Sequence, residues 1–111
     1  MKKDYEEGSF GAYLVDLIRK CGFSQVEFAK QLNISRTYLF DLLNGRVKPP
    51  APDMQERIVT LLKLKDAERE EFYNKTAEGR NELPKDVFDY LYNNDTEVKA
   101  IRERMRASNV C

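Results

Sequence analysis

The chain has 111 residues, a formal net charge of zero, 41% apolar residues and 34% charged residues, which fits one globular domain with or without an appendage and excludes wholesale disorder. It has no histidine and only two cysteines, so we expect no disulfide framework, no metal site or other cofactor, and no imidazole catalysis. No apolar run is long enough to span a membrane and the first seven residues lack a signal-peptide core, so we expect a cytoplasmic protein without membrane contacts.

Helical spacing of apolar residues dominates the chain, and strand-like alternation is almost absent, which predicts an all-α fold. The first helix is predicted between a cap at Ser9 and a stop at Gly22. Its apolar face has residues at i, i+3, i+4 and i+7, which are Leu14, Leu17, Ile18 and Cys21. Cys21 is therefore expected to be buried, whereas Cys111, as the last residue, is expected to be exposed.

Two short helices, joined by a tight turn, are predicted next. Ser24 and Glu27 form a capping box that begins the first of them, and Asn33 tolerates the left-handed backbone of a turn. Ser35 can cap the second helix, and the pair Asn44-Gly45 ends it. Their apolar residues again have helical spacing: Val26, Phe28, Ala29 and Leu32 before the turn, and Leu39, Leu42 and Leu43 after it.

The rest of the chain is predicted to hold four helices after a stiff connector with prolines at 49, 50 and 52. The first of the four opens with a capping box from Asp53 to Glu56. The other three are predicted over about 66–78, 84–92 and 95–107.

The zero net charge hides an uneven distribution of charge along the chain. Residues 10–52 carry six lysines and arginines against three acidic residues, whereas residues 53–111 carry eleven against thirteen. The excess positive charge therefore lies in the half that holds the two short helices, where it favours contact with a polyanion.

Two short helices separated by a turn of about three residues form a known DNA-reading unit, the helix-turn-helix. The helix crossing needs a small residue, which Ala29 supplies, and Ile34 can enter the core directly after the turn. Leu39 and Leu42 can anchor the second helix. The residues that this arrangement leaves outward and polar on the second helix are Ser35, Arg36, Thr37 and Asp41.

At these positions the sequence resembles the lambda-repressor/Cro-like, or XRE-type, transcriptional regulators. The matching residues are Gln25, Glu27, Ala29, Ser35, Asn44, Gly45, Lys48 and Pro49. The resemblance implies a five-helix DNA-binding domain over residues 10–65, preceded by a tail at 1–9 and followed by a helical extension at 66–111. Asn33 replaces the usual glycine of the turn, and an apolar contact between Ile18 and Leu43 is expected where some phage members have an Arg–Glu pair.

The resemblance also assigns base contacts to Arg36, Thr37 and Asp41, although each can instead be an ordinary exposed residue. Arginine can bond guanine with two hydrogen bonds, threonine can touch the methyl group of thymine, and aspartate can accept from the amino group of cytosine. Contacts to the DNA backbone are expected from residues around the second helix and its flanks: Gln25, Ser35, Tyr38, Asn44, Arg46 and Lys48. Lys48 fits a solvated loop nearly as well.

Beyond the motif, the chain is rich in aromatic residues, with Phe72, Tyr73, Val87, Phe88, Tyr90, Leu91 and Tyr92 forming an apolar set. This set can pack within the chain or against a second subunit. Because one motif reads only a half-site, we expect a dimer with Phe88 and Leu91 as anchors of its interface. The basic residues Lys99, Arg102 and Arg106 are expected to form a solvated face rather than a DNA-binding arm.

These features together predict a transcriptional regulator without enzymatic activity, acting as a repressor when a homodimer binds a palindromic operator in double-stranded DNA. One alternative is an antitoxin, which binds DNA with this fold and clamps a toxin with the rest of its chain. A protein partner of this kind, a toxin or an antirepressor, is compatible with the sequence. A second alternative is an adaptor that has kept the fold and lost DNA binding.

Overall fold

The computed structural model describes residues 8–108, and over this range the chain forms seven α-helices and no strand, as the all-α prediction required. The helices are α1 (Phe10–Lys20), α2 (Gln25–Leu32), α3 (Arg36–Leu43), α4 (Pro52–Leu62), α5 (Asp66–Arg80), α6 (Lys85–Tyr92) and α7 (Asp95–Ser108). Within this range, no helix combines the length and the apolar character that crossing a membrane requires. Most of the predicted tail at 1–9, and Cys111, lie outside the described residues.

The first three helices begin at the serine caps that the sequence predicted. The hydroxyl oxygen of Ser9 accepts from the backbone N–H of Ala12, and that of Ser24 accepts from Glu27. Ser35 makes the same bond to Tyr38 at 2.9 Å. Each bond satisfies an N–H group that the first turn of a helix leaves without a backbone partner.

The turn between α2 and α3 depends on Asn33, whose backbone is left-handed with φ 58° and ψ 44°. Its N–H donates to the carbonyl of Lys30, and the next N–H, that of Ile34, donates to the carbonyl of Ala29 at 3.0 Å. These bonds close the end of α2, and α3 begins two residues after Ile34. The predicted position and conformation of the turn are confirmed.

One apolar core joins the first four helices. Phe28 and Ala29 of α2 face inward at 0% and 1% exposure, so the small residue predicted for the helix crossing is buried. Ile18 and Leu43, which were expected to replace an ion pair with an apolar contact, are both buried in this core. The other deeply buried members include Leu14, Leu32, Leu39 and Ile58.

The fifth helix belongs to the same core. Phe72 of α5 is fully buried, its ring centroid lies 5.8 Å from that of Phe10, and Tyr73 is buried beside it. The hydroxyl of Tyr13 donates to the backbone carbonyl of Glu68, which fastens α1 to α5. Only four helices lie between residues 10 and 65, so the fifth helix of the packed unit is α5.

Cys21 does not follow its prediction, because its side chain is exposed. It is the cap residue after the last turn of α1, where the helix ends and the chain turns away at Gly22 with φ +84°. Its thiol reaches the backbone carbonyl of Leu62 at 3.5 Å, at the edge of the packed unit. The apolar stripe of α1 therefore leaves the core after Ile18, the last buried residue of the helix.

Helix α4 begins earlier than the sequence indicated. Ala51 is the cap residue, it makes no side-chain capping bond, and Pro52 occupies the first turn. Proline suits this place because its missing N–H would have no helical partner there. Asp53 therefore lies in the first turn instead of capping the helix, and its negative charge complements the positive end of the helix dipole.

The last two helices lie outside the core. Neither α6 nor α7 contains a buried residue, and the molecule measures 54 × 25 × 22 Å along its principal axes. Helix α6 is attached to α4 by Lys85, whose ammonium group contacts the carboxylates of Asp89 and Glu56. The hydrogen bond to Asp89 raises the pKa of Lys85 above its usual value.

Candidate nucleic-acid interface

Helix α3 has one buried face and one exposed face. Leu39, Leu42 and Leu43 are each about 2% exposed and hold the helix on the core, while Arg36 and Thr37 at its first turn are exposed. Close approach of α1 fixes the other end of α3, because a Cβ atom added to Gly11 would lie 2.0 Å from the carbonyl oxygen of Leu43. The exposed polar turn of α3 is thus presented by rigid packing on two helices.

A surface groove of about 520 Å³ runs between the start of α2 and α3. It is lined by Gln25, Val26, Arg36, Thr37, Leu39 and Phe40. The groove therefore brings together Arg36 and Thr37, two of the predicted base-reading residues, and the predicted phosphate ligand Gln25, which precedes Arg36 by eleven residues. A guanidinium, a hydroxyl and an amide beside the N-terminal end of a helix form a donor-rich surface that suits an anionic, hydrogen-bonding partner.

Two of the predicted backbone-contacting residues have structural roles as well. The Ser35 hydroxyl oxygen accepts the Tyr38 N–H as the cap of α3, so a contact to phosphate would use its O–H proton. The side-chain amide of Asn44 donates to the backbone carbonyl of Phe40 at 2.7 Å and closes the last turn of α3. Tyr38 is half-buried on the same helix.

The loop after α3 carries the remaining predicted contacts. Asn44, Arg46 and Lys48 line a second cavity of about 460 Å³ together with the start of α1 at Ser9 to Gly11. This cavity separates the loop from α1, whereas Arg46 also turns back toward α3. The structure therefore places Arg46 next to the groove and Lys48 farther along the loop.

Asp41 and Arg46 form a contact that the sequence analysis did not predict. A carboxylate oxygen of Asp41 lies 3.5 Å from a guanidinium nitrogen of Arg46. The central carbon of the same guanidinium lies 5.1 Å from the ring centroid of Phe40, within range of a cation–π interaction. The sequence does carry a signal for the Asp41–Arg46 contact. An acidic residue precedes a basic one by five positions, across the helix stop Asn44-Gly45.

The predicted dimer anchors lie on a surface formed by α6. Phe88 is 52% exposed, its ring stacks on that of Tyr92 with centroids 6.0 Å apart, and Leu91 is half-buried. Phe88 and Leu83 also line a cavity of about 540 Å³ against the start of α4. The aromatic set of the sequence analysis is therefore divided: Phe72 and Tyr73 belong to the core, and the aromatic residues of α6 face outward.

No group of three or more cysteine, aspartate or glutamate side chains that could hold a metal ion occurs between residues 8 and 108.

Comparison with known proteins identifies one family. A family model described as a helix-turn-helix domain matches residues 9–72, which is more than half of the chain. The matched range runs from the cap of α1 into α5 and includes the groove and the Asp41–Arg46 contact. No curated protein and no solved structure shows significant similarity to the chain.

Proposed function

The chain belongs to a helix-turn-helix family of XRE/Cro-like regulators, and on this premise we propose that it is a sequence-specific, double-stranded-DNA-binding transcriptional regulator. The observation that carries the proposal is the groove in which Gln25, Arg36 and Thr37 meet beside the exposed turn of α3. A helix of this kind enters the major groove with the residues of its first turn toward the base edges. We expect the protein to act in the cytoplasm.

Arg36 and Thr37 are the proposed base readers. Both are exposed in the first turn of α3, where neither is needed for the core. Arginine and threonine supply complementary chemistry, because one donates two hydrogen bonds to guanine and the other offers a methyl group to thymine. Asp41 lies one turn later and is paired with Arg46, so we do not count it among the readers.

The proposed contacts to the DNA backbone surround these readers. Gln25 presents its amide and the first free N–H groups of α2, which suit a phosphate at a helix N-terminus. Arg46 adds a positive charge at the far end of α3. The other proposed contacts are Ser35, Tyr38, Asn44 and Lys48, all on α3 or its flanks.

We further propose that the protein acts as a homodimer on a palindromic operator and represses transcription by blocking polymerase. Phe88, Tyr90 and Tyr92 are each more than half exposed on α6, and an aromatic side chain can bury roughly 150–250 Å². Phe88 and Tyr92 lie four residues apart on one face of α6, whereas Tyr90 lies nearly opposite them. With Leu83, Val87 and the predicted anchor Leu91, that face offers on the order of 400 Å² of contact, against about 800 Å² per partner in a standard interface. A second copy of this chain is the occupant that a half-site reader needs.

Arg36→Ala is expected to relax base preference at one position of the operator. The variant should lose about 1–3 kcal/mol of discrimination there, because a bidentate contact to one base is removed. Selection of binding sites from random duplex DNA, run in parallel on the wild type and the variant, measures this directly. If the two selected motifs are the same, Arg36 is not a reader.

Phe88→Glu is expected to turn the dimer into a monomer, because it places a charge in an apolar interface. Sedimentation without DNA compares it with the wild type and with Val47→Glu, which removes an exposed valine and adds the same charge outside α6. The control should remain dimeric. A wild-type chain that binds DNA as a monomer would contradict the dimer, whereas co-purification with a toxin protein would favour the antitoxin alternative.

A further inference from the structure

We propose that Asp41 is a positioning residue that acts through Arg46. The carboxylate holds the Arg46 guanidinium beside α3 as a preformed phosphate ligand, and it does not read a base itself. This inference rests on the proposed function, because it assigns a role within the same DNA-binding surface.

The backbone at the end of α3 brings the two residues together. Gly45 has a left-handed backbone with φ +72°, and its N–H donates to the carbonyl of Leu42. The following N–H, that of Arg46, donates to the carbonyl of Asp41 at 2.9 Å. This pair of bonds is the Schellman helix stop, which reverses the chain and places the residue after the left-handed one over the last turn of the helix. The backbone of Arg46 is thereby tied to Asp41 itself.

In many Schellman stops an apolar contact joins these two positions, but here they carry opposite charges. The Asp41 side chain is 29% exposed and the Arg46 side chain is 60% exposed, so the carboxylate is the inner and the guanidinium the outer member of the pair. The ring of Phe40, which lines the groove, lies under the same guanidinium. An ion pair and a ring therefore limit the orientations of Arg46 on the side of the proposed DNA surface.

Arginine can keep this pair and bind DNA at the same time. Its guanidinium has five N–H donors in a planar fork, so two can face Asp41 while others bond a phosphate oxygen. For Asp41 to read cytosine instead, its carboxylate would leave Arg46 and approach the phosphates without a neutralising partner, which electrostatics disfavours. The geometry thus favours a chain of contacts from Asp41 to Arg46 to phosphate.

The test uses Asp41→Asn, Arg46→Gln and the double variant in the full chain. Asp16→Asn, Arg19→Gln and their double variant serve as matched controls, because Asp16 and Arg19 form an exposed ion pair on α1 with oxygen and nitrogen 3.8 Å apart. Neither pair is buried, and ion pairs open to solvent contribute little to folding stability. All six variants should therefore fold, which circular dichroism verifies. Each protein is measured for its selected motif and for affinity to the wild-type motif across a salt series.

Asp41→Asn should select the same motif as the wild type. Arg46→Gln should reduce the slope of log affinity against log salt concentration by about one, because one phosphate contact is lost. Asp41→Asn should also reduce this slope, because Arg46 then loses the partner that holds it at the phosphate. If Asp41 contributed only its negative charge, its removal would not lower the number of counterions released, and the slope would not fall. The factor by which Arg46→Gln lowers affinity should be at least about threefold smaller in the Asp41→Asn variant than in the wild type. The α1 pair should show no such coupling.

A changed preference at one base pair in Asp41→Asn would overturn the inference, because Asp41 would then be a reader. An unchanged salt slope, or losses that simply multiply in the double variant, would also overturn it. A larger loss of affinity from Arg46→Gln in the Asp41→Asn variant than in the wild type would show that the ion pair keeps Arg46 away from DNA. This result would also overturn the inference. If the wild-type chain binds no duplex, the proposed function fails and this inference with it, whereas uncoupled binding overturns the inference alone.

Discussion

Gly11→Ala is expected to destabilise the fold by about 3 kcal/mol or more, although alanine is a better helix former than glycine. A Cβ atom at this position would lie 2.0 Å from the carbonyl oxygen of Leu43 and 2.7 Å from its carbonyl carbon. Both atoms are backbone, so relief requires α1 and α3 to move apart. Since α3 carries the proposed readers, the variant should also bind DNA more weakly.

Ala12→Gly is the matched control, because it changes the same pair of residue types at the next position of α1. This variant loses only helix propensity and should cost no more than about 1 kcal/mol. Urea unfolding of both variants and the wild type gives the comparison. If Gly11→Ala raises the free energy of unfolding, as propensity alone predicts, the close approach of α1 and α3 is wrong.

Phe72→Ala is expected to cost about 3–5 kcal/mol, the range for truncation of a large aromatic residue in a core. The Phe72 side chain is fully buried, and its ring lies 5.8 Å from the rings of both Phe10 and Tyr73. Stabilities of small domains are about 5–15 kcal/mol, so this single change can bring the fold near its limit.

Phe88→Ala makes the same chemical change on the surface of α6. Phe88 is about half exposed, so its truncation should lower the unfolding free energy of the monomer by less than about 1 kcal/mol. The comparison is made by urea unfolding at protein concentrations below the dimerisation range. Equal losses from the two variants would contradict the assignment of α5 to the core and of α6 to the surface.

Local rules of backbone chemistry predicted much of the fold. Ser9, Ser24 and Ser35 cap helices because their hydroxyls compensate the first N–H groups, and this depends on only a few neighbouring residues. Asn33 forms the turn for an equally local reason, since its side chain tolerates a left-handed backbone. The groove on α2 and α3 follows from these caps and the turn, so the positions of Gln25, Arg36 and Thr37 could be predicted.

Features that depend on distant contacts could not be predicted in the same way. Helix α5 is rich in charged residues, and its buried side chains are only Phe72, Tyr73, Thr76 and Ala77, so its sequence does not indicate which helix it meets. The exposure of Cys21 depends on where α1 leaves the core, not on the apolar spacing within α1. The pairing of Asp41 with Arg46 requires the reversal at Gly45, which spacing alone does not convey.

We propose that the exposed first turn of α3 recognises double-stranded DNA. The most direct test measures how strongly the protein prefers its selected duplex over a random duplex pool. The wild type is compared with Arg36→Ala/Thr37→Ala and with a control, Thr96→Ala/Arg102→Ala. The control removes the same exposed residue types from α7. We expect the α3 variant to lose at least about 30-fold in this preference, by removal of two base contacts, and the α7 variant to keep it. A wild-type chain that binds no duplex even at low salt, or an α3 variant that keeps the full preference, would contradict the account.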